Sequence, residues 1–141
     1  MWKVGNYRHN KHKPKVLICD QESHIRTILQ KYLSSVGFSA DLAKDGYELL
    51  EMASHTHPDV ILLDLDMPEM DGQTTIGHLR RMGINVPVLL FSTGSNQFPY
   101  DNDSAVLQKP LRPKDIAVVL ETLLLETKKE KHFIPRRFKV Q

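Results

Sequence analysis

A chain of 141 residues with 40% apolar and 26% charged residues has room for one domain with a substantial core and little room for two. No apolar run approaches the ~18 residues of a transmembrane helix, and the basic start MWKVGNYRHNKHKPK has no apolar segment of the secretory type. The lone cysteine, Cys19, excludes an internal disulfide, so a reducing, cytoplasmic setting is expected.

The net charge of +2 conceals an acidic middle between two basic ends. Lys3, Arg8, Lys11, Lys13 and Lys15 stand at the start with no acid among them, and Lys128, Lys129, Lys131, Arg136, Arg137 and Lys139 face only Glu130 at the end. Residues 1–14 and 128–141 therefore read as basic tails around a domain at 15–127. No nucleic-acid-binding motif accompanies the tails, so nucleic acid is not expected as a partner.

In chain order, Lys15–Asp20 (KVLICD) is a short apolar run that reads as a buried strand. Ser23 to Val36 follows with Ile25, Ile28, Leu29, Tyr32, Leu33 and Val36 at helical spacing, and Gly37 is placed to stop the helix. Phe38–Ala43 alternates like a strand, and Asp45–Ser54 is amphipathic through Leu49, Leu50 and Met52. After Pro58, Asp59–Asp64 is a continuous apolar strand ending on a carboxylate. Gly72–Met82 reads as a helix stopped by Gly83, and Val86–Phe91 as another apolar strand. Ala105–Leu107 is a short strand, and Pro113–Thr127 is a helix with proline in its first turn.

Strands that are apolar on both faces, alternating with helices, predict a doubly wound parallel five-stranded α/β sheet. Ligands bind such sheets beyond the carboxyl ends of the strands. Asp20, Asp64 and Ser92 all fall at strand ends, so they are expected at one rim.

The segments VLICDQE, ILLDLDMPEMDG, PVLLFST and LQKP, in this order and at these strand ends, resemble the receiver domain of two-component response regulators. The resemblance covers about Lys15 to Glu126 and implies a flavodoxin-like sheet of order 2-1-3-4-5. It implies that Asp64 is a phosphoacceptor, attacking a phosphohistidine carried by a histidine kinase or histidine phosphotransfer protein. It further implies that Lys109 pairs with the phosphoryl oxygens, that Ser92 donates its hydroxyl to them, and that the Lys109–Pro110 bond is cis. Mg²⁺ is implied as cofactor, held by Asp20, Asp64 and the backbone carbonyl of Asp66. The domain would then be a signalling module rather than an enzyme with turnover, limited to its own phosphotransfer and autodephosphorylation.

Four features depart from that family's pattern. Gln21 stands where a second acid is usual, which weakens the expected Mg²⁺ site unless Gln21 itself, Glu22 or the carboxylate of Asp66 contributes. Only 16 residues separate Ser92 from Lys109, too few for a loop, a full fourth helix and a strand, so that helix is expected to be missing or much shortened. Val106 occupies the position of the family's aromatic switch, and Thr93 that of a smaller residue. A degenerate receiver that docks partners without phosphorylation is the competing expectation. Asp64-Leu-Asp66 is also similar to the first motif of haloacid-dehalogenase-like phosphatases, but it falls on the third strand. The downstream partner and oligomeric state are not legible.

Overall fold

The computed structural model describes residues 13–67, 70–92, 104–109 and 112–129. The expected tails, Thr93, the shortened-helix region and the Lys109–Pro110 bond lie wholly or partly outside these residues. Five strands and four helices occur among the described residues: β1 (Lys15–Cys19), α1 (Ser23–Ser35), β2 (Ser39–Ala43), α2 (Gly46–Thr56), β3 (Val60–Asp64), α3 (Gly72–Arg81), β4 (Val88–Ser92), β5 (Ser104–Gln108) and α4 (Pro113–Lys129). The strands pair in parallel, as the alternation of elements predicts, and lie in the order β2-β1-β3-β4-β5 that the resemblance to receiver domains implies.

The unbroken apolar runs follow from the sheet having two covered faces. Val16, Ile18, Val60, Leu62, Leu89, Phe91, Ala105 and Leu107 join Leu29 and Leu33 of α1 and Ile116, Leu120 and Leu123 of α4 in one core. Their strand neighbours Leu17, Cys19, Ile61, Leu63, Val88 and Leu90 turn the other way, onto Leu49 and Ala53 of α2 and Ile76 and Leu79 of α3. Val106 is half-buried against this second cluster. Every residue of β3 and β4 is buried, so the ends of these central strands are fixed by packing on both sides.

Several element boundaries differ from the sequence expectation for local reasons. Pro87 has no N–H to donate, and pairing in β4 begins at Val88, although the Pro87 carbonyl still accepts from Ile61 N at 3.0 Å. Asp45 caps α2 instead of joining it, its carboxylate accepting from Glu48 N at 2.8 Å. That helix runs on to Thr56 because the left-handed residue that ends it is His57, with φ 52°. Asp71 caps α3 in the same way, accepting from Thr74 N at 2.8 Å. The Thr74 hydrogen bond holds the Asp71 carboxyl below its ordinary pKa.

One buried acid in α4 is out of keeping with its surroundings. Glu121 is 8% exposed, and its Oε2 finds no hydrogen-bond partner among the described residues. Burial raises its pKa. Replacement by methionine, of similar volume, is expected to stabilise the domain by about 1 kcal/mol at neutral pH, since an unsatisfied buried group is removed. The sign with pH is fixed: a raised carboxyl pKa means the folded state binds more protons, so wild-type stability gains as pH falls toward the carboxylate range. Urea unfolding of wild type and Glu121→Met should show a gap that narrows on acidification. A gap that is constant or widens contradicts this reading.

Candidate functional site

Because the strands are parallel, their carboxyl ends share one edge of the sheet. Cys19 is in register with Leu63, Asp64 with Phe91, and Ser92 with Gln108. Asp20 follows β1, Asp64 ends β3, Ser92 ends β4 and Lys109 follows β5. The three residues singled out at strand ends, and Lys109 from the resemblance, therefore meet at the rim near the gap between β1 and β3, where the strand order reverses.

The rim is a set of buried acids crossed by one lysine. Asp20 is 2% and Asp64 3% exposed. The Lys109 ammonium lies 3.1 Å from Asp64 Oδ1 and 3.1 Å from Asp66 Oδ2, bridging the two carboxylates. Its Nζ also sits 5.1 Å from the centroid of the Phe91 ring, within reach of a cation–π attraction. Burial alone pulls the Lys109 pKa down, but the hydrogen bonds it donates to Asp64 and Asp66 and their charges more than reverse this, and the net shift is upward. Lys109 is thus held as a cation at every physiological pH.

Backbone contacts fix this geometry. Asp64 Oδ1 accepts from Asp66 N at 2.9 Å, which folds the β3–α3 turn over the strand end. Leu65 N donates to Phe91 O at 2.9 Å, and Lys109 N donates to Ser92 O at 2.7 Å, tying the turn and the lysine to β4. Asp20 Oδ1 accepts from Glu22 N at 2.8 Å, and Arg26 reaches back from α1 to the Asp20 carbonyl at 2.6 Å. Burial raises the Asp20 pKa; the Asp64 charge adds to the rise, while the Glu22 N–H and the Lys109 charge oppose it. Cys19 lies beneath, its thiol donating to Met67 Sδ at 3.7 Å, and burial raises its pKa far out of the reactive range.

Two residues behave differently from their simplest expectation. Gln21 is exposed, and its Nε2 donates to the Asp66 carbonyl at 3.4 Å, so the amide presents nitrogen where an acid would present oxygen. The Asp66 carboxylate, expected as a spare acid near a metal, instead spans Lys109 and the Ser92 hydroxyl, which donates to its Oδ1 at 3.3 Å. Glu22 is the exposed residue preceding α1 and makes no side-chain cap. Sequence reasoning missed Arg26 and Phe91. Arg26 carries no positional signal beyond its length, whereas Phe91 immediately precedes Ser92 and was legible as strand only.

The donor set can be tested against a cation. Asp20 and Asp64 offer two buried carboxylates and Asp66 a backbone carbonyl, all hard oxygens of the kind Mg²⁺ takes. The donor chemistry fits such an ion. The set is lean, for no group of three or more acidic, histidine or cysteine side chains converges as a metal site among the described residues.

The comparisons with known proteins bear on the family and the fold that carry this rim. The family model for the response regulator receiver domain matches residues 16–121. The transcriptional regulatory protein PrrA of Mycobacterium leprae is 40% identical over 83 residues, covering 59% of this chain and 36% of that protein. The response regulator MprA of Mycobacterium avium is 31% identical over 121 residues, covering 82% of this chain and 53% of that protein. The chain thus matches about a third to a half of the length of these curated relatives. Among solved structures, the Francisella response regulator 1452 receiver domain superposes with a TM-score of 0.70 at 26% identity, covering 81% of this chain and 98% of that one. The chemotaxis response regulator CheY4 of Vibrio cholerae does so with a TM-score of 0.70 at 26% identity, covering 79% and 99%. With the family model matching residues 16–121 and the parallel strands in the order β2-β1-β3-β4-β5, the chain belongs to the response regulator receiver domains of two-component signalling.

Proposed function

We propose that this domain accepts a phosphoryl group on Asp64 from the phosphohistidine of a histidine kinase or histidine phosphotransfer protein, and that this changes what it binds. The observation that carries the reading is the Lys109 ammonium 3.1 Å from Asp64 Oδ1, with Asp64 itself 3% exposed. A buried carboxylate beside a fixed cation is a nucleophile whose product charge is already countered. Asp64 attacks phosphorus, the bond from phosphorus to the donor imidazole nitrogen breaks, and the nitrogen leaves with the electron pair. Lys109 then pairs with the phosphoryl oxygens, and Ser92 donates its hydroxyl to one of them. The lost phosphoryl charge on hydrolysis returns the site to its starting state, so the only turnover expected is autodephosphorylation.

A bound divalent cation supplies further neutralisation of the phosphoryl charge. The residues that would hold it are Asp20, Asp64 and the Asp66 carbonyl, with the amide of Gln21 beside them. Gln21→Asp replaces that amide with a charged hard ligand and removes the hydrogen bond to the Asp66 carbonyl. It is expected to tighten Mg²⁺ binding about tenfold, and to make the metal-free protein less stable by crowding Asp20. Titration calorimetry with MgCl₂ and melting with and without the ion check both halves. Equal affinity in the two proteins would show that Gln21 does not limit the site.

Chemical mapping tests the phosphoacceptor itself. After incubation with acetyl phosphate and Mg²⁺, borohydride reduces an aspartyl phosphate to homoserine, which peptide mass mapping locates. Homoserine at position 64 supports the assignment. Homoserine at position 20 or 66, or at none of the three, overturns it.

A further inference from the structure

The two groups assigned to the phosphoryl oxygens are already occupied by a carboxylate of the domain itself. Asp66 Oδ2 lies 3.1 Å from Lys109 Nζ, and Asp66 Oδ1 accepts from Ser92 Oγ at 3.3 Å. One carboxylate thus presents one oxygen to each donor, which is how an incoming phosphoryl group on Asp64 would have to present its own. The Asp66 side chain is 31% exposed against 3% for Asp64, so it stands at the mouth of the site with solvent to turn into. Its main chain is held independently of its side chain, through Asp66 N on Asp64 and the Asp66 carbonyl on Gln21.

Taking the phosphoacceptor reading above as given, we propose that Asp66 is a positioning residue that acts as an internal stand-in for the phosphoryl group, clasping Lys109 and Ser92 until a phosphoryl group displaces it. Two costs then attend phosphorylation. The charge-assisted contact to Lys109 and the hydroxyl contact to Ser92 must be exchanged, and a new dianion must form beside an existing carboxylate, which repels it. Displacement moves the Asp66 side chain outward and leaves Lys109 and Ser92 drawn toward position 64. The phosphorylated surface would therefore carry a freed carboxylate at the β3–α3 turn that the resting surface keeps engaged.

The test is titration with beryllofluoride in the presence of Mg²⁺, followed by the amide resonances of Ser92 and Lys109, on wild type, Asp66→Asn and Asp66→Ala. The backbone carbonyl at position 66 survives in every variant, so the cation donors are unchanged. Asp66→Ala should bind the analogue about tenfold more tightly than wild type, with Asp66→Asn between, since the amide keeps an acceptor for Ser92 but loses the charge. In the unliganded Asp66→Ala protein the Ser92 and Lys109 resonances should also lie closer to their liganded positions. A merely structural role for Asp66 would weaken binding or leave it equal, and either result with a wild type that binds overturns this proposal alone. If neither wild type nor variant binds and no homoserine forms at position 64, the phosphoacceptor reading falls and this proposal falls with it.

Discussion

Lys109→Met is expected to abolish measurable beryllofluoride binding, a loss of at least about a hundredfold, and to destabilise the domain by about 1–2 kcal/mol at neutral pH. Both effects come from one ammonium group. It lies within salt-bridge distance of both Asp64 and Asp66, and its charge also restrains the pKa of Asp20. Removing it leaves clustered carboxylates, two of them buried, with less positive charge to oppose them. Breaking a fully buried pair costs more than this, but Lys109 keeps 25% of its side chain in solvent, which screens part of the loss. The sign of the pH dependence follows. Uncompensated carboxylates have raised folded-state pKa values, so the variant recovers stability relative to wild type as pH falls from 7 toward 5. In wild type the Lys109 contribution is fully present across this window, because its own raised pKa lies above the ordinary lysine value. Denaturant unfolding at the two pH values reads the gap. A variant as stable as wild type at pH 7 would mean that the bridge does not stabilise the fold.

Asp64→Asn should have the opposite profile, with folding retained and chemistry lost. The asparagine oxygen can still accept from Asp66 N and from Lys109, the two contacts that Asp64 Oδ1 makes. One buried negative charge beside Asp20 disappears while Lys109 keeps Asp66. Stability should therefore change by no more than about 1 kcal/mol. An amide is no nucleophile toward phosphorus, so phosphoryl transfer to this position ends altogether. Melting curves beside phosphorylation assays separate the two effects. A variant that unfolds would return Asp64 to a structural role.

Much of this is legible in the amino-acid sequence. Continuous apolar strands separated by helical periods specify a covered parallel sheet, and a parallel sheet places the ends of its strands together. Asp20, Asp64 and Ser92 could be grouped on that ground, and Lys109 joined them through the resemblance to receiver domains. What could not be read is which oxygen each donor chooses. The Asp66 carboxylate faces Lys109 and Ser92 because the turn after β3 bends back on Asp64, and that bend depends on Leu65 N meeting Phe91 O across the sheet. The reach of Arg26 to the Asp20 carbonyl is likewise a tertiary choice of a flexible side chain. Boundaries failed where one residue could serve either as cap or as first turn, as at Asp45, or where proline cannot donate, as at Pro87. The departure at Gln21 was visible in sequence, but that its amide would meet the Asp66 carbonyl was not.

The central claim is that Asp64 carries the phosphoryl group, and intact mass tests it most directly. Wild type and Asp64→Asn are incubated with acetyl phosphate and Mg²⁺, each with a chelator-treated control, and weighed by mass spectrometry. The expected result is a single added phosphoryl group on wild type, absent from the variant and from the chelated sample. An adduct of equal extent on Asp64→Asn, or none on a folded wild type that is also silent to beryllofluoride, would contradict it.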